Sequence, residues 1–383
     1  MAEVIRLLIA LASRAFLRCL LPFIRIRPGR VLFQSYREKQ YSCNPKYISE
    51  ELQRLRPKGL EVAWSFREPE KFSYLEKQGV RVLRAGSFKA VLYALSAQVV
   101  CVNTYYKPTL PRRKGQMQMR TWHGGGAYKR VALMEKMTPL KRLSLRLQLS
   151  GATVYLSSSK AFTQQTIRGS FGFTGEVLEC GMPRNDLLIN GESQERIREI
   201  RKAAGIPEGV HLALYAPTYR DQLKTDMHAL DVDALTRALE ERFHGKWLVA
   251  YRGHVFVRTG KVNVPDLSAY PDMQQLLLIA DALITDYSSS MWDMSLSGKP
   301  VFLYCPDLDE YISSRDFYTD IHTWPYPLAQ SNEALCAKVR AFDETEYKEA
   351  LRRHHEALGS FETGQASRAA AQRILDEIDR AKS

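Results

Sequence analysis

The chain has 383 residues, with 55 lysines and arginines against 42 acidic residues and a net charge of +13. This length predicts two or three domains, and hydrophobic and charged fractions of 45% and 25% exclude a disordered, collagen-like or coiled-coil protein. No apolar run reaches the roughly 18 residues of a membrane span. The six cysteines are scattered without a CxxC pair, so we expect buried thiols in the reducing cytosol and neither zinc nor disulfides.

Residues 1–30, which carry six arginines and one acidic residue, are predicted to form an amphipathic, membrane-associating helix. At 100° per residue, the polar side chains share an arc of roughly 140° with Leu7, Ala10 and Leu17, and the opposite side is wholly apolar. Such a helix suits the plane of an anionic membrane interface. The alternatives are a helix packed on its own domain and a signal peptide, which needs a longer uncharged core than the stretch between Arg6 and Arg14.

Strand and helix patterns alternate from residue 31 onward. The strands VLFQS, EVAWSF, GVRVLRA and AQVVCVN are joined by helical stretches such as NPKYISEELQRL and FKAVLYALS. The second half continues with the strands TVYLSSS, EVLECG, HLALYAPT, KWLVAYRG, DALITDYSSS and PVFLYCP. This rhythm predicts two doubly wound α/β domains with parallel sheets, facing each other across a cleft. We place these domains at 31–195 and 196–345, with C-terminal helices at 346–383 packing back across both.

Positive charge is concentrated between Lys107 and Arg146, where eleven lysines and arginines accompany one acidic residue, Glu135. Such crowding indicates an anionic partner, which could be a nucleic acid, an anionic membrane or a phosphate-rich substrate. The alternative is that these side chains only aid solubility. Aromatic residues are sparse in this basic belt and no RNA-binding motif is visible, so we expect no nucleic-acid partner.

The segment TWHGGGAYKR combines a histidine, three glycines and two basic residues at a predicted strand end. His123 could act as a general base on a hydroxyl, because its ordinary pKa lies near neutral pH. Gly124 and Gly125 would let a substrate approach the backbone, and Lys129 and Arg130 would meet its phosphate. A glycine-rich turn beside a packed histidine is the alternative interpretation.

Basic and hydroxyl side chains follow several other predicted strands, at the edge where open parallel sheets bind ligands. They are Arg184 in GMPRNDLL, Thr218 and Arg220 in YAPTYRD, and Arg252 and His254 in YRGH. Together they could converge on a diphosphate, since guanidinium groups make bidentate contacts with phosphate oxygens. A single arginine at a strand end would be more typical of a salt bridge.

DALITDYSSSMWD carries the most specific pattern. An apolar strand runs into Thr285 and Asp286, and Ser288, Ser289 and Ser290 then open what we predict to be a helix. Small hydroxyls and N–H groups at a helix start are suited to phosphate. An ordinary serine-capped helix is the alternative.

In this order and spacing, the motifs resemble the CDP-glycerol glycerophosphotransferase family, the teichoic acid polymerases and primases of Gram-positive bacteria. The resemblance rests on TWHGGGAYK, GMPRND, YAPTYRD, the RGH strand, LITDYSSSMWD and KPVFLYCPDLDEYISSRDFYTD, and covers roughly Val31 to Gly364. It implies a glycosyltransferase-B-like fold, attached peripherally to the cytoplasmic face of the cell membrane. Within that fold, 31–195 would take the acceptor and 196–345 the CDP-activated donor.

The resemblance also implies a reaction. Glycerol phosphate, or another polyol phosphate, would pass from a CDP-activated donor to a hydroxyl of a lipid-linked glycosyl or glycerol-phosphate acceptor. CMP would be released, and the product would be teichoic acid, capsule or a related surface polymer.

Site residues follow from the resemblance as well. His123 would be the base, and His254 the second catalytic residue. The donor would be bound by Arg184, Thr218, Arg220, Thr285, Asp286, Ser288, Ser289, Ser290 and Asp320. Acceptor phosphate would be bound by Gly124, Gly125, Lys129 and Arg130. The last motif block adds Asp307, Tyr311 and Arg315 as donor-glycerol or structural contacts.

Two departures from the family pattern concern these residues. Gly125 and Gly126 stand where better-known members carry Thr-Pro in HGTPLK, which could alter the acceptor. Val255 replaces the proline of RxHP, which could change how rigidly His254 is held.

Alternatives remain for the donor and for a metal. CDP-ribitol could replace CDP-glycerol, and a sugar transferase of the same architecture would use a nucleotide-sugar donor. No cofactor is firmly implied. Asp307-Leu308-Asp309 matches the DxD of metal-dependent sugar transferases, although a loop contact suits this family better, so a divalent metal is not indicated.

Overall fold

The structure, a computed structural model, describes residues 2–55, 59–111, 113–218, 230–253, 264–314 and 316–380. The chain forms two compact units. The first comprises Met1–His123, Val131–Arg184 and Phe361–Ser383, and the second comprises Gly124–Arg130 and Asn185–Ser360. The units divide the chain after Arg184 and before Phe361, whereas the sequence-based limits lie at 195 and 345. Those limits stay predictions.

The first unit contains a seven-stranded parallel sheet in the order β3-β2-β1-β4-β5-β6-β7. Its strands are β1 (Arg27–Gln34), β2 (Glu61–Phe66), β3 (Arg81–Arg84), β4 (Ala97–Val102), β5 (Met117–Arg120), β6 (Val154–Ser157) and β7 (Glu176–Glu179). Its α-helices are α1 (Ala2–Leu20), α2 (Cys43–Leu55), α3 (Phe88–Ser96), α4 (Pro139–Leu149) and, at the end of the chain, α13 (Ala366–Arg380).

The second unit contains a five-stranded parallel sheet in the order β12-β11-β10-β8-β9. Its strands are β8 (Val210–Tyr215), β9 (Lys246–Tyr251), β10 (Ala282–Thr285), β11 (Val301–Tyr304) and β12 (Leu328–Ala329). Its α-helices are α5 (Asp186–Asn190), α6 (Gln194–Ala203), α7 (Val232–Phe243), α8 (Met273–Ile279), α9 (Ser290–Ser295), α10 (Leu308–Ser314), α11 (Asn332–Arg340) and α12 (Glu344–Leu358). Two parallel-sheet α/β domains are thus confirmed.

Helices cover both faces of the first sheet because its central strands are apolar on both sides. Val31 and Phe33 of β1 pack in one core with residues of α2 and α13, among them Ile374. Leu32 lies on the opposite face and packs in a second core with α3. Successive side chains of a strand point to opposite faces, so one apolar run serves both cores.

The N-terminal helix α1 packs on the first unit through its mixed face, not through its apolar one. Leu7 and Ala10, from the arc that also holds the charged residues, are buried, and Leu17 packs against the α3 core. The wholly apolar face is exposed and carries Val4, Ile5, Leu8, Ile9, Leu11 and Phe16. Among the residues described, no helix is both long enough and apolar enough to cross a membrane.

Candidate active site

His123 lies just beyond the carboxyl end of β5, in the first unit. Its Nδ1 is 2.9 Å from the backbone carbonyl oxygen of Asn103. Because a carbonyl oxygen only accepts hydrogen bonds, Nδ1 carries the proton and Nε2 holds the ring's lone pair. The rings of Tyr36 and Trp122 lie 5.6 and 4.4 Å from the imidazole. The imidazole is therefore oriented to accept a proton at Nε2.

Asn103 connects three strand ends at this site, and sequence reasoning did not identify it. The residue is fully buried just after β4. Its side-chain amide donates to Ser35 Oγ at 3.0 Å and accepts the N–H of Tyr36 at 2.8 Å. Its backbone carbonyl holds His123, so a single residue fixes both the histidine and the loop after β1. A buried asparagine closing the apolar run AQVVCV was the available signal.

The loop after β1 turns through three consecutive residues in the left-handed region. Tyr36, Arg37 and Glu38 have φ values of 44°, 56° and 68°. Such conformations cost of order 1–3 kcal/mol each for residues with a Cβ and persist only where the surroundings impose them. Here, besides the Asn103 contact, the N–H of Lys39 donates to the Ser35 carbonyl and that of Arg67 to the Glu38 carbonyl. These strained residues lie beside His123, the proposed base, which Tyr36 contacts directly.

Asn44 brings a second predicted site residue, Arg184, to the same strand ends. Its amide donates to the carbonyls of Thr121 and Trp122, at 3.2 and 3.0 Å. Its side-chain oxygen accepts the N–H of Arg184 at 3.1 Å. The segment FETGQAS, residues 361–367, joins this group, since Glu362 accepts the N–H of Met182 at 3.0 Å. Three separate motifs are thereby held together in the first unit.

The glycine-rich segment that follows His123 belongs to the second unit. Lys129 forms an isolated antiparallel bridge with Phe317, and the N–H of Arg130 donates to the carbonyl of Asp316 at 3.0 Å. The guanidinium of Arg130 also pairs with the Asp316 carboxylate at 2.5 Å. The side chain of Arg130, predicted to meet phosphate, is thus engaged by a protein carboxylate.

Gly125 packs so closely against Trp292 that residue 125 has no room for a side chain. A Cβ at residue 125 would lie 2.5 Å from Cδ1 of the fully buried Trp292. The threonine that better-known family members carry here would collide with that indole ring. The glycine at residue 125 in place of that threonine is therefore explained by packing within the second unit.

Tyr128 anchors the glycine-rich segment in the second unit. Its hydroxyl lies 2.9 Å from both the hydroxyl of Tyr326 and Nε2 of His354. Burial, followed by the neighbouring His355, lowers the pKa of His354 from 6.5 to about 4. Burial likewise lowers the pKa of His355 to about 4. Both imidazoles are therefore neutral at pH 7.

Thr218, Thr285 and Asp286 connect the ends of β8 and β10. Asp286 accepts both the N–H and the hydroxyl of Thr218, at 2.9 and 2.8 Å, and Thr285 donates to the carbonyl of Ala216 at 2.7 Å. Thr285 and Asp286 are buried to 1% exposure or less. Their hydrogen bonds fix the loop that leads to the serines, and donor binding by these side chains stays a prediction.

The serine cluster lies at the start of α9. The hydroxyl of Ser290 donates to Ser288 Oγ at 3.0 Å, and Ser289 is the residue before the helix. Ser288 and Ser289 are partly exposed. Asp320 is an exposed residue that caps a short turn by accepting the N–H of His322 at 3.0 Å. Asp307 accepts a hydrogen bond from the buried Tyr287 hydroxyl.

Three predicted site residues, Arg220, His254 and Arg315, lie outside the described residues. Within the described ranges, no three His, Cys, Asp or Glu side chains are grouped to hold a metal ion.

Replacing Gly125 should test its packing against Trp292. We expect Gly125→Ala to lower the free energy of unfolding, and the loss to shrink when Trp292→Leu removes the indole. A coupling of roughly 0.5–3 kcal/mol is expected for side chains in such contact. Urea unfolding of the wild type, both single variants and the double variant measures it. Strictly additive effects would show that the two positions do not touch.

The two buried histidines should make the protein sensitive to acid. Their folded-state pKa values are depressed, so the stability they contribute is present above pH 6.5 and is lost as the pH falls to about 4. The maximum loss is on the order of 3 kcal/mol for each histidine. The double variant His354→Gln, His355→Gln should therefore show a flatter stability curve between pH 7 and pH 4.5 in urea unfolding. Parallel curves would contradict the assignment.

Comparison with known proteins places the chain in a family. The profile of the family described as CDP-Glycerol:Poly(glycerophosphate) glycerophosphotransferase matches residues 15–378. The teichoic acid poly(glycerol phosphate) polymerase of Bacillus subtilis is 28% identical in an alignment of 351 positions that covers 84% of this chain and 45% of that protein. This chain thus spans about half the length of that relative.

Other relatives match over nearly their whole length. The teichoic acid glycerol-phosphate transferase of Staphylococcus aureus is 28% identical, over 90% of this chain and 92% of its own. The teichoic acid ribitol-phosphate primase of Bacillus spizizenii is also 28% identical, over 87% and 86%. The solved structure of the wall teichoic acid polymerase TagF superimposes with a TM-score of 0.81 at 26% identity, covering 94% of this chain and 91% of that one. The chain therefore belongs to the CDP-glycerol:poly(glycerophosphate) glycerophosphotransferase family.

Proposed function

We propose that this chain transfers glycerol phosphate from CDP-glycerol to a hydroxyl of a lipid-linked acceptor, releasing CMP, in the synthesis of teichoic acid or a related surface polymer. Family membership and the glycerol-phosphate relatives support the reaction class. A TagF variant soaked with CDPG supports the donor. The single observation that carries the mechanism is the Asn103 carbonyl held 2.9 Å from Nδ1 of His123.

In the proposed step, Nε2 of His123 accepts the proton of the acceptor hydroxyl. The acceptor oxygen forms a bond with the phosphorus that carries glycerol. The bond between that phosphorus and the oxygen bridging to CMP breaks, and the electron pair leaves with CMP. General-base assistance of this kind contributes about 10² to 10⁴ in rate. Cationic and N–H groups would offset the charge on the transferring phosphoryl group.

The donor site is proposed at the serines that open α9. The partly exposed Ser288 and Ser289 present hydroxyls at the start of α9, and the hydrogen bonds between Thr218 and Asp286 fix the loop before them. We assign the donor pyrophosphate to these serines, as the resemblance implies. The roles of Arg220 and His254 remain implied by the resemblance.

Peripheral attachment to the cytoplasmic face of the membrane is the second part of the proposal. Burial of Leu7 and Ala10 against the domain leaves Ile5, Ile9 and Phe16 exposed on the opposite, wholly apolar face. An exposed apolar helix face of this kind is suited to the boundary between lipid headgroups and acyl chains. The basic belt, Lys107 to Arg146, would add attraction to anionic lipids or to a phosphorylated acceptor.

The ribitol-phosphate primase at the same identity as the glycerol-phosphate transferase favours one alternative donor, CDP-ribitol. CDP-glycerol and CDP-ribitol differ in the length of the polyol chain, whereas the cytosine base and the two phosphates are common to both donors. The assay of CMP release therefore includes both donors.

Replacing the proposed base should remove transfer without removing donor binding. We expect His123→Gln to lower acceptor-dependent CMP release by about 10² to 10⁴, because proton transfer loses its acceptor. The assay offers CDP-glycerol and CDP-ribitol separately with a lipid-linked acceptor analogue, and calorimetry measures CDP-glycerol affinity. His211→Gln, a change of an exposed histidine in the second unit, is the matched control. A fully active His123→Gln variant would exclude this mechanism.

The membrane contact can be tested at the exposed face of α1. The combined change Ile5→Glu, Ile9→Glu and Phe16→Glu should release the protein from anionic vesicles in a flotation assay, because the buried face stays intact. Ile312→Glu, at another exposed apolar residue, should leave vesicle binding unchanged. Unchanged binding of the triple variant would move the attachment to the basic belt.

A further inference from the structure

A cavity of about 350 Å³ lies in the first unit between α1, α3 and the ends of β1 and β2. Its volume falls in the range of about 300–1,000 Å³ that is typical of small-molecule pockets. One wall is apolar and includes Phe16 and Leu17 of α1 and Val91 of α3. The other wall is polar and includes Gln34, Glu38, Ser65 and Lys107.

The polar wall is built around a buried carboxylate. The side chain of Glu38 is 4% exposed, and its Oε1 accepts hydrogen bonds from Ser65 Oγ at 2.6 Å and Gln34 Nε2 at 3.0 Å. Its Oε2 pairs with the ammonium of Lys107 at 2.5 Å, and that lysine side chain is 39% exposed. A charge is rarely buried without such partners, so these residues hold the carboxylate in a fixed place.

The backbone is strained at the residue that carries this carboxylate. Glu38 is the third of the consecutive left-handed residues, with φ of 68°. The first of them, Tyr36, contacts the ring of His123 with the centroids 5.6 Å apart. A single strained turn therefore carries both the pocket carboxylate and a neighbour of the proposed base. Strained backbone persisting at such a point indicates a functional constraint.

The chemistry of the walls selects an uncharged hydroxylated ligand. Glu38 and Lys107 neutralise each other, so the polar wall offers a phosphate no uncompensated positive charge. A hydroxyl can donate to a carboxylate oxygen and accept from an ammonium, which carries three N–H donors. The apolar wall suits an apolar part of the same ligand. Phe16 lines this wall and also belongs to the apolar face of α1, where its side chain is 66% exposed. A chain leaving the pocket past Phe16 would continue along that face.

We propose that this cavity binds an amphiphile through a sugar or polyol unit that carries an apolar chain. Glu38 and Lys107 contact the hydroxyls, and the side chains of α1 and α3 contact the chain. Assigning this amphiphile as the acceptor rests on the proposed function above. In that assignment the pocket holds the acceptor's hydroxylated unit, and the turn carrying Tyr36 links the pocket to His123.

Direct binding tests the pocket without donor or turnover. The probe is hexyl glucoside below its micelle concentration, compared by calorimetry with glucose and with hexyl phosphate. We expect saturable binding of the glucoside and much weaker binding of both others. Glu38→Gln should weaken glucoside binding about tenfold, as loss of one charge-assisted hydrogen bond would. The matched control is Glu76→Gln, the same chemical change at an exposed position, and should bind as the wild type does.

A second variant keeps the test decisive if Glu38→Gln folds poorly. Val91→Phe fills the cavity with apolar volume and leaves the polar wall untouched, so it should abolish glucoside binding while thermal unfolding confirms the fold. Unchanged binding in Val91→Phe, or binding of hexyl phosphate as tight as the glucoside, would overturn the proposal. Glucoside binding without CMP release from any CDP-polyol would support the pocket and refute the proposed function. CMP release without glucoside binding would support the proposed function and refute the pocket.

Discussion

The hydrogen bond between Nδ1 of His123 and the carbonyl of Asn103 is the contact on which the chemistry depends. An imidazole can serve as a base only from the nitrogen that lacks the proton, and this bond determines which nitrogen that is. The parallel sheet makes the contact local, because β4 and β5 are neighbours and their carboxyl ends lie at the same edge. Asn103 and His123 follow those two strands.

Two buried asparagines extend this arrangement to the rest of the first unit's site. Asn103 fixes the strained turn after β1, and Asn44 ties Trp122 to Arg184. The side-chain amide of Asn44 contacts backbone groups, whereas Asn103 contacts Ser35 and Tyr36 through its amide and His123 through its backbone carbonyl, so both residues position their neighbours. The same turn carries Glu38 into the cavity under α1, which connects the proposed base with the proposed pocket.

The strongly apolar strands and the motifs that follow them could be predicted from the sequence. The features that could not be predicted are tertiary contacts between distant residues. Strand β5 was predicted only as a strand end before His123, without residues of its own, because Gln118 and Arg120 make the segment look polar, although all four residues of β5 are buried. The helical wheel of α1 was correct, yet it could not show that Leu7 and Ala10 would face the domain. Likewise, Thr218 and Asp286 stood out as polar residues at strand ends, but their mutual hydrogen bonds join residues 68 positions apart.

The protonation of His123 is the most direct test of this account. Nitrogen NMR of protein labelled at histidine nitrogens, with His123→Gln to assign the signal, distinguishes the two neutral tautomers. We predict a proton on Nδ1 and none on Nε2 above the imidazole pKa. A proton on Nε2 instead would contradict the proposed base, because that nitrogen would then have no lone pair with which to accept the acceptor's proton.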